Sequence, residues 1–431
     1  MQIISSYRKS LMLLIAVLLF NISTQGQSLR PEVAGIPVNY DQDKVPTFTL
    51  PDPLVLLNGE KVTDSTTWYN LRRKEILGLY ETEQFGKVPD RKNVSFKVFE
   101  NGTPVFDNQA IRKQVTIFFA KDTSNYKADL LIYLPANTTK PAPVLLKIGF
   151  APNCSTIDDP GIRQGMMWTR EGKQIPASEG RRFGFFDVKK FIENGIGVAS
   201  IYYGDIEPDF AEGLKYGIIG NYLSSEHNYP APDEWGAISA WSWGLSCVMD
   251  YLETDKQVNA QQVALYGVSR LGKTVLWTGA RDERFGMVIA SCSGEGGAAL
   301  SRRQYGETIK HMTHPTRYFY QFCGNRAKYG DDPNSCPFDA HMLVALMAPR
   351  PLLLQTGDTD YWSDPKGEFD AAIAAEPVYE LLGKKGLGTD VWPDAGVPVL
   401  SDLGYYMHSG GHGTLPADYD IFIDFIKMHF Q

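Results

Sequence analysis

Short apolar runs recur from residue 144 onward, separated by segments whose apolar positions follow helical spacing. The runs lie at 144–148, 195–202, 263–266, 287–290 and 352–355. Because they lack polar alternation, they predict strands buried on both faces, as in a parallel sheet covered by helices. Helical patterns at 234–252 and 272–280 fall between these runs. The pattern therefore predicts an α/β fold, with helices on both sides of a mostly parallel sheet.

The chain before residue 143 follows a different pattern. Apolar and polar residues alternate at 95–99, 113–119 and 128–134, which predicts antiparallel strands at the start of the sheet. Residues 29–70 are interrupted by proline and aspartate and predict an extended arm that packs over the body. We expect one catalytic domain over 28–431. Its long loops at 154–185, 205–233 and 304–340 follow strand ends, where α/β sheets bind ligands.

The first 28 residues have the pattern of an export signal. Arg8 and Lys9 precede an apolar block at 11–20, and a small, polar stretch follows at 21–28. The block is about half of the ~20 residues that span a bilayer, so we predict a signal peptide over 1–27 and no stable membrane anchor. No cysteine lies near Gly26, so no lipoprotein anchor is indicated. The predicted location is periplasmic or secreted.

Composition narrows the possible partners. The 431 residues carry a formal charge of −8, which argues against a nucleic-acid partner, because phosphate binding needs a basic face. Five cysteines are too few for a disulfide framework in a chain of this length. We expect one bridge, between Cys323 and Cys336, and core packing for Cys247. We predict a monomer.

A serine lies where the run at 263–266 passes into the helical pattern. The sequence Gly267-Val268-Ser269-Arg270-Leu271-Gly272 is close to the G-x-S-x-G nucleophile elbow, with the second glycine displaced by one position. A serine hydroxyl is a weak nucleophile, so an esterase presents it on a sharp turn within reach of a base. The alternative is a serine that only caps the helix.

The elbow predicts an acid after a later strand and a histidine after the last one, in that chain order. His412 fits the base, because Gly410, Gly411 and Gly413 around it let the backbone bend toward the serine. His408, four residues earlier, follows a strand-like stretch. We interpret His408 as a packing residue or a substrate contact.

Several carboxylates are candidates for the acid. Asp358, Asp360 and Asp364 lie in one loop after the strand at 352–355, and Asp360 is favoured. Glu295, in the glycine-rich turn after the strand at 287–290, is the alternative acid. The chain has no H-E-x-x-H motif, and its close histidine pairs lack carboxylates at helical spacing. We therefore predict no metal and no cofactor.

Two cations flank the serine. Arg270 and Lys273 stand at a helix N-terminus, where cations oppose the macrodipole, so a specific partner is favoured over solvation. Arg270 is a candidate for stabilising the oxyanion, and Lys273 for binding a polar or anionic substrate group. Trp362 offers a flat face for a sugar ring.

Together these motifs resemble the glucuronoyl esterases, family 15 of the carbohydrate esterases, and their bacterial branch in particular. The resemblance covers nearly all of the mature chain. The stretches that carry it are 267–273, 293–298, 302–303, 306–308, 337–341, 348–350, 360–365 and 410–412.

The resemblance implies a three-layer α/β-hydrolase that cleaves the ester between a lignin alcohol and the (4-O-methyl)glucuronic acid branch of glucuronoxylan, without a metal. It implies Ser269 as nucleophile, His412 as base and Arg270 in the oxyanion hole. It further implies that the glucuronoyl group is contacted by Lys273, Glu307 and Trp362.

One position departs from the fungal pattern. Fungal members have their catalytic glutamate just before the Ser-Gly-x-Gly-Gly turn, where this chain has Cys292. Bacterial relatives can use the acid after the later strand, which supports Asp360 and weakens Glu295.

Two other functions remain open at this point. An acetyl or feruloyl xylan esterase would not need Lys273 and Glu307. An inactive carbohydrate-binding relative would have lost the acid, so Asp360 distinguishes the enzyme from it.

Overall fold

The computed structural model describes residues 29–169, 171–177, 186–223 and 229–430, and the predicted signal peptide lies outside these ranges. Its main feature is a nine-stranded sheet. The strands are β1 (Ser95–Val105), β2 (Ala110–Phe118), β3 (Lys127–Pro135), β4 (Ala142–Gly149), β5 (Gly197–Tyr202), β6 (Val258–Val268), β7 (Met287–Ser291), β8 (Leu352–Gly357) and β9 (Leu403–His408).

The order of strands across the sheet is β9-β8-β7-β6-β4-β5-β3-β2-β1. The six strands from β9 to β5 run parallel to their neighbours. Strands β1, β2 and β3 form an antiparallel extension, which joins the parallel part through the antiparallel pair β3–β5. The prediction of a mostly parallel sheet with antiparallel N-terminal strands is confirmed.

Within the described residues, seven longer helices accompany the sheet. They are α1 (Arg73–Glu83), α2 (Val188–Glu193), α3 (Ala237–Leu252), α4 (Arg270–Arg281), α5 (Ala340–Ala345), α6 (Pro365–Leu381) and α7 (Asp418–Phe430). Helix α3 begins three residues later than predicted, after Gly236, and α4 begins two residues earlier, directly after Ser269.

Short elements fill the connections. Two-residue strands pair at Glu32–Val33 and Ile36–Pro37, and a second small hairpin joins Met166–Trp168 to Gln174–Pro176. The short helical turns are Ser65–Thr67, Trp68–Arg72 (π), Asn153–Thr156, Ile218–Tyr222 and Ile309–Met312. The 3₁₀ turns are Gln42–Lys44, Tyr203–Asp205, Ala211–Lys215, Ser301–Arg303, Phe319–Gln321, Gly324–Tyr329 and Pro333–Ser335.

The sheet separates two apolar cores, so the architecture has three layers. Alternate residues of β4 face opposite sides: Leu146 joins the larger core and Leu145 the smaller one. The larger core packs against α3, α4, α5 and α6, and the smaller core against α2 and α7. Strands with apolar side chains on both faces are therefore buried on both sides, as the unbroken apolar runs predict.

The N-terminal arm, residues 29–70, lies against the body. The amide of Gly306 donates to the carbonyl of Asn39 at 2.8 Å. The ring nitrogen Nε2 of His341 lies 2.8 Å from the carbonyl oxygen of Pro51. Apolar side chains of the arm, Phe48 and Leu50, pack on a small cluster beside α5. The arm thus covers the loops around residues 300–341.

The expected disulfide is wrong. Cys323 and Cys336 are both free and buried, as is Cys247. The thiol of Cys323 faces the carbonyl of Thr82 at 3.6 Å, whereas Cys336 lies 3.7 Å from a guanidinium nitrogen of Arg326. Sequence spacing does not fix how two cysteine side chains are oriented, and here each has another partner.

The length and apolar content of the helices indicate whether any of them could cross a membrane. Among the residues described above, no helix combines the length and the apolar content that a bilayer-spanning segment requires.

Candidate active site

Ser269 lies on a sharp turn at the carboxyl end of the sheet. Strand β6 ends at Val268 and α4 begins at Arg270, so the serine alone makes the turn. Its backbone has φ 61° and ψ −126°, a region that non-glycine residues rarely adopt. Its amide donates to the carbonyl of Ser291 at 2.8 Å, which ties the turn to the end of β7. This is the geometry of a nucleophile elbow.

Steric contacts explain why the second glycine of the elbow stands one position later than in the G-x-S-x-G motif. A Cβ atom on Gly272 would lie 2.7 Å from the carbonyl oxygen of Ser291, so only glycine lets α4 approach β7 this closely. A Cβ on Gly267 would lie 2.3 Å from the carbonyl oxygen of Leu271. The turn therefore needs glycine two residues before Ser269 and three residues after it.

His412 and Asp360 form a close pair. Their atoms Nδ1 and Oδ2 are 2.7 Å apart, and the hydroxyl of Ser363 also lies 3.2 Å from Nδ1. Asp360 is 1% exposed, whereas 36% of the His412 side chain is exposed. Because Nδ1 faces the carboxylate, Nε2 is the nitrogen that is free to accept a proton.

Contacts around the end of β7 link this pair to the elbow. Within the described residues no hydrogen bond joins the Ser269 hydroxyl to His412. Hydrogen bonds between a catalytic serine and its base are commonly long without substrate and shorten when it binds. Cys292 follows Ser291 directly and contacts the loop that carries His412. Its Sγ accepts from the amide of Gly413 at 3.2 Å and faces the Gly413 carbonyl oxygen at 3.3 Å.

The other predicted acids have separate partners. Asp358 accepts a 2.8 Å hydrogen bond from the amide of Gly410. Asp364 pairs with the guanidinium of Arg303 at 2.8 Å and caps α6. Glu295 is bonded to Arg326 and Ser301. Of the four carboxylates, Asp360 is the one that the structure brings to His412.

His408, four residues before His412, pairs with a different aspartate. It ends β9, is 4% exposed, and its Nδ1 lies 2.8 Å from Oδ2 of Asp418. Of the two roles expected for His408, a packing residue or a substrate contact, its burial favours packing.

Cys292, Asp360 and His412 form the one group of three in the described chain whose atoms are close enough to share a cation, within 4.8 Å of one another. The Nδ1 atom of His412 already faces Asp360, and burial raises the pKa of the Cys292 thiol, with Asp360 adding to the rise. A thiol that stays protonated is a poor metal ligand, and this ring nitrogen already has a partner. The prediction of no metal stays a prediction.

Arg270 is fixed by a polar network on one side of the serine. Its guanidinium forms an ion pair with Asp209, and its carbon Cζ lies 4.5 Å from the ring centroid of Tyr318. The Asp209 carboxylate also accepts from Tyr203, Tyr320 and Gln321, at 3.0, 3.0 and 2.7 Å. The side chain is held beside the elbow, and 22% of it remains exposed.

Lys273, one helical turn further along α4, is almost fully buried at 4% exposure. Within the described part of the chain its ammonium makes no hydrogen bond or ion pair. Burial lowers its pKa, and the carboxylate of Glu307 opposes that effect. A buried cation without a direct partner is unfavourable, so the site favours an anionic or strongly polar ligand group there.

Glu307 and Trp362 lie against each other, Glu307 in the loop 304–340 and Trp362 in the loop after β8. The amide of Glu307 donates to the carbonyl of Trp362 at 2.9 Å. Both contact Arg317, whose Nη2 donates to Glu307 Oε1 at 2.7 Å and whose Cζ lies 5.3 Å from a ring centroid of Trp362. The same guanidinium lies 4.9 Å from the ring centroid of Tyr318, which Arg270 contacts as well.

Sequence reasoning missed several residues of this network: Asp209, Tyr203, Arg317, Tyr318, Tyr320 and Gln321. The available signal was position, because all six lie in or beside two of the three loops predicted to follow strand ends, 205–233 and 304–340. Nothing in their local sequence separates them from the other polar and aromatic residues of those loops.

The fold and the arrangement of the elbow serine, histidine and aspartate define the class, which is that of the α/β-hydrolase esterases. The family model for fungal glucuronyl esterases matches residues 222–383. A glucuronoyl esterase structure from Solibacter usitatus is 45% identical and covers 90% of this chain and 100% of its own, with a TM-score of 0.87. A family 15 glucuronoyl esterase from Teredinibacter turnerae is 31% identical over 97% of this chain and 99% of its own, with a TM-score of 0.78.

A curated relative supports the same family. The carbohydrate esterase MZ0003, from an unknown prokaryotic organism, is 42% identical over 91% of this chain and 92% of its own length. The chain belongs to the glucuronoyl esterases, family 15 of the carbohydrate esterases. It is therefore a carboxylic ester hydrolase, as the sequence motifs imply.

Proposed function

We propose that the chain hydrolyses the ester between a lignin alcohol and the (4-O-methyl)glucuronic acid side chain of glucuronoxylan, through an acyl-enzyme on Ser269. The observation that carries the proposal is Lys273, one helical turn from the serine: its side chain is almost fully buried, and its ammonium makes no hydrogen bond or ion pair within the described residues. A uronoyl group brings hydroxyl and ring oxygens that can accept from this ammonium.

The remaining pocket residues suit a sugar acid. Trp362 offers an aromatic face, and the Glu307 carboxylate accepts hydrogen bonds from hydroxyl groups. Arg270 adds a fixed cation where negative charge develops on the ester oxygen. These residues contribute to orienting one acyl group against the serine.

In the first half-reaction the Ser269 hydroxyl attacks the ester carbonyl carbon while Nε2 of His412 takes its proton. The negative charge that forms on the carbonyl oxygen is stabilised by Arg270, through its guanidinium and its amide at the start of α4. Asp360 holds the ring tautomer and stabilises the imidazolium. Collapse breaks the bond to the alcohol oxygen, which receives the proton from His412.

The second half-reaction releases the uronic acid. A water molecule gives a proton to His412 and attacks the acyl carbon. The intermediate then expels the Ser269 oxygen, which recovers the proton from His412. The enzyme returns to its starting state without a cofactor or a metal.

An acetyl or feruloyl xylan esterase is the competing function. An acetyl group is small and apolar and has no oxygen beyond the ester that could reach Lys273, so it would leave the buried cation without a partner. An inactive carbohydrate-binding relative is disfavoured because the 2.7 Å Asp360–His412 pair is intact. The export signal and the monomeric state belong to the proposal on sequence grounds.

The proposal is tested with purified protein on methyl glucuronate, methyl galacturonate and acetylated xylan. We expect the glucuronate ester to have the highest kcat/KM, and Ser269→Ala to abolish its turnover. Higher kcat/KM on the acetyl ester would overturn the substrate assignment. Undiminished turnover by Ser269→Ala would exclude the serine as nucleophile.

A matched pair of variants tests the role of the lysine. Lys273→Met keeps the length of the side chain and removes the charge, so kcat/KM on methyl glucuronate should fall by ~10- to 100-fold. Turnover of p-nitrophenyl acetate should change much less, because that ester has no uronoyl group. Equal losses on both esters would show that Lys273 supports the elbow and does not select the substrate.

A further inference from the structure

A buried histidine and aspartate bracket the segment that carries His412. Residues 409–417, here named the histidine loop, run from the end of β9 to the start of α7. His408 is the last residue of β9 and Asp418 the first of α7, and they are 4% and 0% exposed. Their side chains meet, with Nδ1 of His408 and Oδ2 of Asp418 2.8 Å apart.

Each member of this pair also holds one end of the loop. Nε2 of His408 lies 3.0 Å from the carbonyl oxygen of Gly411, the residue just before His412. Oδ2 of Asp418 accepts a 2.7 Å hydrogen bond from the amide of Leu415, three residues after His412. The backbone is therefore fixed on both sides of His412 by one side-chain pair.

The hydrogen-bond acceptors around the ring favour the doubly protonated, charged form of His408. Both ring nitrogens lie against oxygen acceptors, Asp418 Oδ2 and the Gly411 carbonyl, and only the doubly protonated ring can donate to both. The amide of Gln355 also lies 3.0 Å from Nδ1, but its hydrogens have the carbonyls of Thr356 and Gly413 as acceptors, at 2.9 and 3.5 Å. Gln355 therefore does not need the ring as an acceptor.

Further hydrogen bonds reach the loop, from the Gly410 amide to Asp358 and from the Gly413 amide to Cys292. Gly410 and Gly413 have φ values of 145° and 124°, so its backbone relies on glycine, which loses the most entropy on ordering. The His412 side chain is more than a third exposed, and within the described residues its ring bonds only to Asp360 and Ser363. The loop depends on hydrogen bonds from its surroundings.

We propose that His408 and Asp418 are positioning residues that clamp the histidine loop, so that Nε2 of His412 stays aligned with Ser269. Neither touches substrate. This inference rests on the proposed function, because the clamp positions His412, the base of that reaction. A buried ion pair gains little net stability but fixes geometry, which is what this loop requires.

The clamp needs His408 in its protonated form. Burial lowers the pKa of His408. The hydrogen bond and charge of Asp418, together with Gly411 and Asp358, outweigh burial, so the pKa is raised overall. Above that raised pKa the ring keeps one proton for two acceptors, and one end of the loop is released. The other titratable groups that face the pair are Asp358, Tyr266, Tyr406 and Tyr419, and burial raises the pKa of the three tyrosines.

The test compares His408→Phe, His408→Gln and Asp418→Asn with wild type. Phenylalanine removes both donors, whereas glutamine keeps one donor that can reach Gly411. We expect kcat to fall by ~10- to 100-fold for His408→Phe, and by less for His408→Gln, with KM within about twofold. Hydrogen exchange of the peptide covering 409–417, measured without substrate, should be faster in each variant. The alkaline decrease in kcat of wild type should disappear in His408→Phe.

A matched control is His429→Phe, which removes a partly buried histidine from the far end of α7, where its Nε2 lies 3.0 Å from the carbonyl oxygen of Ser401. It should leave kcat and exchange of 409–417 unchanged. Thermal unfolding checks that each variant is folded, and if His408→Phe does not fold, Asp418→Asn and His408→Gln decide.

Two results would overturn the clamp. One is wild-type kcat in folded clamp variants, and the other is a loss of kcat without faster exchange of 409–417. All variants are measured on p-nitrophenyl acetate as well as methyl glucuronate. If wild type hydrolyses only the acetate, the proposed substrate is wrong and the clamp is still decided by acetate turnover and exchange.

Discussion

Glu295 is paired with Arg326, its Oε1 lying 2.9 Å from the Nη2 atom of the guanidinium. Both side chains are buried, and the hydroxyl of Ser301 donates to the same Oε1 atom at 2.9 Å. Burial raises the pKa of Glu295 to about 7, against the lowering effect of Arg326. A carboxylate engaged in this way supports the fold around the glycine-rich turn, and Asp360 remains the partner of His412.

This difference predicts opposite effects for two conservative substitutions. Asp360→Asn should lower kcat on methyl glucuronate by ~10³- to 10⁴-fold, because an amide neither holds the required tautomer nor stabilises the imidazolium. Glu295→Gln leaves Arg326 as an unpaired buried charge and should lower the free energy of unfolding by about 3–5 kcal/mol. Steady-state kinetics and urea unfolding of the same preparations measure both quantities. A large kcat loss in folded Glu295→Gln, with Asp360→Asn fully active, would reverse the assignment of the acid.

The glycine after the elbow gives a steric prediction. Gly272→Ala would place a Cβ atom 2.7 Å from the carbonyl oxygen of Ser291, which is backbone and cannot move without shifting β7. We expect a loss of about 1–3 kcal/mol in unfolding free energy. Since Ser269 is bonded to the same carbonyl, kcat should fall as well.

The matched control is Gly78→Ala in α1, where a Cβ atom would have no neighbour within 4 Å. Alanine is the better helix former by ~1 kcal/mol, so this variant should be as stable as wild type or more stable. If both alanine variants unfold at wild-type denaturant concentrations, the close approach of α4 to β7 is not a constraint.

The layers of the fold could be predicted from sequence because buried strands and helices have recognisable patterns of apolar residues. The run at 263–266 lies inside β6, and the run at 352–355 inside β8, since strands buried on both faces need apolar side chains throughout. Helix starts were less accurate. Helix α4 begins directly after Ser269, ahead of the predicted residue 272, because the elbow allows no linker between strand and helix.

Side-chain partners far apart in sequence could not be predicted. The ion pair of Arg270 with Asp209 joins residues 61 positions apart, and no local pattern marks the aspartate. The expected bridge between Cys323 and Cys336 is wrong because spacing in the sequence does not fix how the two side chains are oriented. Sequence order placed His412 and Asp360 correctly on loops after adjacent strands, because parallel strands bring their carboxyl ends to one edge of a sheet.

Arg317 joins residues on both sides of the pocket, which predicts a role in substrate binding. It holds Glu307 at 2.7 Å and contacts Trp362 and Tyr318. Arg317→Met should raise KM for methyl glucuronate by ~10- to 100-fold, since it removes a charge-assisted hydrogen bond from the Glu307 carboxylate. The kcat value should change little, because no reacting atom is touched.

Arg317→Lys separates charge from geometry at the same position. Lysine keeps the charge but cannot contact Glu307 and two aromatic rings with one planar group. We expect an intermediate KM, measured on methyl glucuronate, and unchanged turnover of p-nitrophenyl acetate. A KM equal to wild type in both variants would remove Arg317 from the binding site.

Glu368, on the first turn of α6, predicts a pH dependence of stability. It is 0% exposed, and its Oε1 accepts hydrogen bonds from the Ser293 hydroxyl and the Gly294 amide, each at 2.7 Å. In the described chain its Oε2 has no partner. Burial raises the pKa of Glu368 from 4.5 to about 8, so the folded state retains a proton that the unfolded state releases.

The stabilisation from this proton is complete below pH 4.5 and is lost as the pH rises through about 8. Glu368→Gln, which stays neutral, should therefore show a smaller fall in unfolding free energy between pH 5 and pH 9 than wild type, by an amount on the order of 1 kcal/mol or more. Urea unfolding across this range measures the difference. Glu380→Gln, at an exposed position of the same helix, should follow wild type. Parallel curves for wild type and Glu368→Gln would mean that Glu368 is ionised in the folded protein, with a cation or water at Oε2.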